Sequence, residues 1–246
     1  MCVLAFAWDT HPRWKLALIG NRDELHARAA APLARWEDRP GVIAGRDLES
    51  GGSWLGVSGH GRLAVVTNRR NPAGPASDKA SRGALVADWL AGDGRYERPA
   101  LEDLDDFNPF SLIVATPEEA RFLSNRPKAE QRTLSPGLYG LSNGVLDEGW
   151  PKTKRIKALL EQWLNTGDAE PQPLLDAVRA EDAPQVPPER AIESPIFILN
   201  PNYGTRCSTV VLVDRDGEGR IVERRYDAQG DATGETTLAF SWRGAA

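Results

Sequence analysis

Two apolar runs at the start of the chain constrain its fold more than any other feature. Residues 2–8 and 15–20 are separated by the turn-forming sequence of residues 9–12, which predicts two neighbouring antiparallel strands. The second run is followed at once by Asn-Arg-Asp-Glu at residues 21–24. In an antiparallel pair the end of the second strand lies beside the start of the first, so we expect these four polar residues near Cys2.

The rest of the chain predicts more strands around a helical middle. The stretch between residues 24 and 42 is rich in Ala, Pro and Arg and reads as a loop, and the Pro-rich residues 181–195 read as a surface connection. Apolar periodicity predicts helices over 84–90, from Pro151 onward and over 174–178, with lysines 152, 154 and 157 on the solvated face. Strands are predicted over residues 42–45, 54–57, 62–68, 111–115, 121–125, 138–144, 207–214, 220–226 and 236–242. This order predicts two sheets with helices packed outside them.

Composition narrows the class of partner. The 246 residues carry a net charge of −5, so no basic excess is available for nucleic acid or for an anionic membrane. No apolar run reaches the roughly 18 residues that span a bilayer. Two cysteines are too few for a disulfide framework, which predicts a cytoplasmic protein. We expect one domain over residues 1–246, and nothing in the sequence indicates an oligomeric state.

Cys2 directly follows the initiator methionine. If Met1 is removed, one residue carries both a thiol and a free amine, with ordinary pKa values of about 8.5 and about 8. The alternative is that position 2 merely holds a small residue that tolerates methionine removal. Four polar residues at the ends of predicted strands favour a site around Cys2, because a nucleophile of this kind needs a carboxylate, amide donors and a cation. They are Asp23, Asn68, Asn143 and Arg206.

The same residues carry a resemblance to a known family. The chain resembles the NRDE-motif family, also called the Transport and Golgi organisation family, in Cys2 and in residues 21–24, 52–56, 66–68, 141–143 and 203–207. That family is similar in fold to N-terminal-nucleophile (Ntn) hydrolases of the choloylglycine hydrolase and penicillin V acylase type, which cleave amide bonds outside peptides. The resemblance implies an α+β fold, a four-layer αββα sandwich of two mainly antiparallel sheets with helices on both outer faces.

Position by position, the resemblance implies a role for each candidate. Cys2 would be the nucleophile, and Asp23 would hold its amine. Asn68 and Asn143 would serve the oxyanion hole and the amine, and Arg206 would stabilise the charge of the site. Arg22 belongs to the same set, although the acylase pattern has its arginine three residues before the aspartate. Because adjacent strand residues face opposite sides, we expect Arg22 to point away from the sulfur.

Three hypotheses about function follow. The first is a hydrolase that cleaves a non-peptide amide of a small molecule through an acyl-enzyme on Cys2, with no cofactor. Tryptophans 8, 14, 36 and 54 could line an acyl pocket, although core packing is the ordinary role of such residues. The second is a carrier or chaperone for haem or a lipid-like ligand, with His26 as the axial residue. The third is a hydrolase scaffold that has lost its reaction and binds partners.

Overall fold

The first two strands pair as the sequence predicts. The computed structural model describes residues 2–71, 74–179, 185 and 193–243. Strand β1 covers Cys2–Trp8 and pairs antiparallel with β2, Trp14–Leu25. The second strand is longer than its apolar run, because it continues through the polar tetrapeptide to Leu25. Residues 21–24 therefore occupy strand positions, and the register places them beside Cys2 as expected.

The other elements follow in chain order. Strands β3 to β9 are Ala30–Arg35, Val42–Asp47, Leu55–Ser58, Arg62–Asn68, Phe110–Ala115, Ala120–Ser124 and Glu130–Thr133. Strands β10 to β13 are Gly137–Leu141, Tyr203–Asp214, Glu218–Tyr226 and Ala232–Ser241. Helices α1 to α3 are Arg82–Ala91, Pro151–Thr166 and Gln172–Arg179, and a 3-10 helix covers Leu101–Asp106. One sheet has the order β10-β1-β2-β11-β12-β13, the other β3-β4-β5-β6-β7-β8-β9, and all pairs are antiparallel.

Three hydrophobic cores separate four layers. Phe6 and Leu18 belong to the core between the two sheets. The opposite face of the first sheet packs Ile19 and its neighbours against α2 and α3. The outer face of the second sheet packs against α1, where Leu85 is fully buried. The α+β four-layer sandwich that the sequence predicts is therefore confirmed.

Helix α1 brings its first turn to the space between the sheets. Ser81 is the N-cap residue, and its side chain accepts a hydrogen bond from the Gly83 N–H at 3.3 Å. The helix ends at Ala91, and Gly92 is the C-cap residue, with a φ of 74° that glycine adopts without steric cost. The predicted helix over 84–90 ends one residue earlier. The Ser53 N–H donates to the Gly83 carbonyl oxygen at 3.3 Å and so ties the first turn of α1 to the segment before β5.

Two sequence-based predictions about the secondary structure and its exposed face are wrong. The loop expected before residue 42 contains β3, an edge strand in which Pro32 is tolerated because only β4 pairs with it. Lys152 was expected on the solvated face of α2, but it is only 2% exposed, and its Nζ donates to Ser194 Oγ at 3.0 Å. The predicted connection over 181–195 lies mostly outside the described residues. In the part of the chain that the structure describes, no helix has the length and apolar character needed to cross a bilayer.

Candidate active site

A row of four side chains runs across four adjacent strands of the first sheet. Cys2 on β1 is opposite Arg22 on β2, Arg22 is opposite Cys207 on β11, and Cys207 is opposite Arg225 on β12. Residues directly opposite each other in a sheet share a face, so all four point between the two sheets. The expectation that Arg22 points away from the sulfur is therefore wrong. The alternation rule holds, but it is Asp23 that lies on the other face.

A cavity of about 700 Å³ lies at this row. This volume is in the range of small-molecule sites. Five of the six predicted site residues line it, namely Cys2, Arg22, Asp23, Asn68 and Arg206. Trp54 is also a wall residue, whereas Trp8, Trp14 and Trp36 are buried in the cores.

The Cys2 thiol is held in its neutral form. Cys2 is 8% exposed, and burial raises the pKa of its thiol. The N-terminal ammonium, which is that of Met1, the Asp23 backbone N–H and the Arg22 guanidinium act in the opposite direction and lower that pKa. The first effect is the largest, so the sulfur needs a base in order to act as a nucleophile.

Asp23 lies on the face of β2 that packs against the helices. It is 2% exposed, and its Oδ1 accepts a hydrogen bond from Thr205 Oγ1 at 2.7 Å. Burial raises the pKa of this carboxyl to about 6, although the N-terminal ammonium and the Lys152 ammonium lower it. Burial also lowers the Lys152 pKa, which Asp23 and Cys2 raise. Asp23 and Lys152 are thus two buried groups of opposite charge, each of which favours the charged form of the other.

Asn68, the last residue of β6, is in contact with Asn143, which lies two residues after the end of β10. Asn143 Nδ2 donates to the backbone oxygen of Asn68 at 2.9 Å and to Asn68 Oδ1 at 3.0 Å. Asn68 lines the cavity, and its Nδ2 group takes no part in these two bonds, so it is available as a donor. Ser142 Oγ connects the pair to the first strand, because it lies 2.8 Å from the Cys2 carbonyl oxygen and 3.2 Å from Asn143 Oδ1. The structure brings both predicted asparagines together, with Asn143 positioning Asn68.

The two remaining predicted residues are cations with different surroundings. Arg22 Nη2 lies 3.4 Å from Asp47 Oδ2 and 3.7 Å from Glu24 Oε2, so carboxylates neutralise it. Arg206 occupies a β-bulge, and its Nη1 donates to the carbonyl oxygens of Leu25 at 3.1 Å and His26 at 2.6 Å. Arg206 therefore holds the end of β2 in place. Its proposed role in stabilising charge stays a prediction.

Lys152 and Cys207 are two of the residues at or near the cavity that the sequence-based site lacks. Lys152 follows Trp150 and Pro151, the N-cap and first residue of α2, and a lysine in a first helical turn ordinarily reaches solvent. Cys207 lies in an apolar strand, which predicts an inert buried residue. Only strand register shows that it shares a face with Cys2. The positions of both residues depend on tertiary structure, so no local sequence pattern predicts them.

His26 does not have the surroundings of a metal ligand. Its Nε2 lies 3.0 Å from the Asn200 carbonyl oxygen, and the residue is not among the cavity walls that the described residues form. Within the same part of the chain, no group of three or more His, Cys, Asp or Glu side chains could hold a metal ion. The residues present therefore do not fit iron coordination by His26 in this cavity.

Comparison with known proteins identifies the family of this chain. The family model for Transport and Golgi organisation 2 matches residues 1–228. The Transport and Golgi organization protein 2 homologs of Bos taurus and Homo sapiens are 33% and 31% identical, over 96% and 91% of this chain and 97% and 92% of their own. The Drosophila melanogaster protein of that name is 26% identical over 91% of both chains.

One solved structure agrees with the architecture, and a second is reported for comparison. A mutant of the conjugated bile acid hydrolase from Clostridium perfringens has a TM-score of 0.55 at 10% identity, over 96% of this chain and 92% of that chain. The Caenorhabditis elegans ortholog of N-acylethanolamine-hydrolyzing acid amidase has a TM-score of 0.48 at 14% identity, over 86% and 92%. The bile acid hydrolase shows the shared fold, and the sequence relatives show the kinship. The chain therefore belongs to the Transport and Golgi organisation 2 family and has the fold of an Ntn hydrolase.

Proposed function

We propose that this protein is a cysteine hydrolase of the Ntn type that cleaves a non-peptide amide bond of a small molecule. The observation that carries the proposal is the position of Cys2 in the wall of a cavity of about 700 Å³ that Asn68 also lines. A nucleophile and an amide donor on facing sheets are the two groups that a tetrahedral intermediate requires. The hydrolase fold of a distant structural relative adds support.

The proposed reaction uses Cys2 as the first residue of the mature chain. Its α-amine takes the thiol proton while Sγ attacks the amide carbonyl carbon. The carbon–sulfur bond forms, and Asn68 Nδ2 donates to the oxygen that becomes negative. The carbon–nitrogen bond then breaks, and the leaving amine takes the proton from the α-ammonium. Water, deprotonated by the α-amine, cleaves the thioester and releases the acid, and the sulfur recovers its proton.

Asp23 would control the amine in this scheme. Its carboxylate form would attract the α-ammonium of Cys2, and the raised pKa of about 6 means that Asp23 is ionised at neutral pH. Below pH 6 the carboxyl is neutral and no longer stabilises the cation. We therefore expect turnover to decline on the acid side of the profile as Asp23 gains its proton.

The test is a panel of acyl amides with three forms of the protein. We expect Cys2→Ala to lose at least about a thousandfold in kcat, because the attacking atom is gone. Cys207→Ala is the matched control, since Cys207 is the other buried thiol in the same row. Near-ultraviolet circular dichroism shows that each variant is folded. Turnover that survives in Cys2→Ala at the wild-type level would refute the proposal.

The alternative proposal is a carrier of haem or of a lipid-like ligand without catalysis. The same cavity would hold the ligand, since its walls combine Trp54, Val66 and Ile198 with arginines. Titration with haemin, followed by absorbance, tests it. A saturable Soret shift that persists in His26→Ala, with no amide turnover by the wild type, would favour the carrier over the hydrolase. The absence of saturable binding would refute it.

A further inference from the structure

Arg225 is a cation without a protein partner in the described part of the chain. It lines the cavity and occupies the end of the row that begins at Cys2. Its Nε is buried, and no hydrogen bond or ion pair joins its guanidinium to any described residue. The other cavity arginines differ. Arg28 binds Asp47 with two nitrogens, and Arg82 Nη1 donates to the Pro109 carbonyl oxygen at 3.2 Å.

The nearest carboxylate on the same strand, that of Glu223, accepts a hydrogen bond from another residue. Glu223 lies two residues before Arg225 on β12 and shares its face, and the two charges attract each other. However, Glu223 Oε1 accepts a hydrogen bond from the Leu33 N–H at 2.8 Å, and no ion pair forms between these two described residues. Burying part of a guanidinium without an acceptor is costly, so the arrangement indicates an acceptor that a ligand supplies.

A glycine makes room for this side chain. Gly234 on β13 is directly opposite Arg225. A Cβ at position 234 would lie 2.8 Å from Arg225 Nη2, which is closer than real contacts allow. The guanidinium therefore lies over the glycine, on the side away from Cys2. This contact gives a way to displace the cation without removing its charge.

The row fixes the distance between the thiol and the cation. Cys2 and Arg225 are separated by three strand intervals. At about 4.8 Å per interval, their Cα atoms are about 14 Å apart along the sheet. A ligand whose amide carbonyl is at Cys2 can reach Arg225 only with an extended segment between the two. An anion next to the scissile amide cannot bridge that distance.

We propose that Arg225 binds a terminal carboxylate or phosphate at the far end of an extended amide substrate whose carbonyl lies at Cys2. The inference rests on the proposed hydrolase function and specifies its substrate class, an acyl amide with an anionic tail end. The planar guanidinium matches both anions through paired hydrogen bonds. The cavity segment between Cys2 and Arg225 accommodates the chain that links them.

The test uses 4-nitroanilides of dicarboxylic acids of increasing length, from succinic to hexadecanedioic acid. Each is compared with the methyl-ended anilide of equal length and, for one long chain, with a terminal phosphonate. We expect the terminal anion to raise kcat/KM by roughly ten- to a hundredfold for chains from sebacic acid upward, and not for the succinyl compound. The phosphonate shows whether phosphate replaces carboxylate.

Three variants locate the effect. Arg225→Gln should abolish the preference for the anion, so that the acid-ended and methyl-ended anilides of equal length are cleaved with the same kcat/KM. Gly234→Ala should weaken the preference while the charge remains. Arg220→Gln is the matched control, because Arg220 lies on the same strand but pairs with Glu170 outside the cavity walls. It should behave as the wild type does.

Binding separates this inference from the proposed function. In Cys2→Ala protein, titration calorimetry compares the long monoacid anilide with its methyl-ended analogue. Tighter binding of the anion that disappears in Cys2→Ala/Arg225→Gln supports the Arg225 site even if the wild type cleaves no amide. Cleavage of both anilides at equal rates, unaffected by Arg225→Gln, overturns the inference and leaves the hydrolase proposal standing.

Discussion

Replacing Asp23 by Asn is expected to stabilise the protein while it removes the carboxylate of the site. The folded-state pKa of Asp23 is about 6, against an ordinary value of 3.8. The folded state therefore keeps the proton to higher pH than the unfolded state does. The contribution of protonated Asp23 to the free energy of unfolding is fully present below pH 3.8 and is lost as pH rises through about 6. The difference between the two values corresponds to about 3 kcal/mol at pH 8 and about half of that at pH 5.

Asparagine has the shape and the neutral charge of the protonated carboxyl. The variant therefore keeps, at every pH, the free energy of unfolding that the wild type loses when Asp23 ionises. The Thr205 hydroxyl can still donate to the amide oxygen at position 23. Urea unfolding at pH 5 and pH 8 measures the free energy of unfolding of both proteins, and Asp78→Asn, at an exposed aspartate, is the control. A variant that is less stable than the wild type at pH 8, or a difference independent of pH, would refute the reasoning.

Three further predictions follow from the contacts of the site and core. Lys152→Met should move the acid limb of the pH–rate profile to higher pH, because burial raises the Asp23 pKa and the Lys152 ammonium opposes that rise; an unchanged limb would exclude the coupling. Asn143→Ala should lower kcat by about a hundredfold with little change in KM, since Asn68 loses its two positioning bonds. Phe6→Ala should cost about 3–5 kcal/mol in urea unfolding, because this ring is fully buried between the sheets; a cost below 1 kcal/mol would contradict that packing.

Sequence periodicity predicted most of the fold, because strands and helices carry their own apolar patterns. The pairing of the first two strands and the stripe of α2 are examples. Strand β3 was not predicted because an edge strand needs few apolar residues. Its pairing with β4, rather than its own composition, makes it a strand. The family resemblance supplied the four-layer order, which is confirmed.

The site was only partly predictable, because its geometry depends on register. The sequence pointed to Cys2 and Asp23, and the structure places both beside the cavity. The side of the strand on which Arg22 lies required the pairing of β1 with β2. The position of Arg225 depends on the register of four paired strands and on its contact with Gly234. No local sequence pattern predicts either.

Mass spectrometry of the acylated protein, first intact and then digested, tests the central claim most directly. The wild-type protein is mixed with an activated acyl amide, quenched within the first turnover and digested. The proposal predicts a chain that lacks Met1 and carries one acyl group, located on Cys2 and absent in Cys2→Ala. A chain that retains Met1, or an acyl group on Cys207 instead, would contradict it.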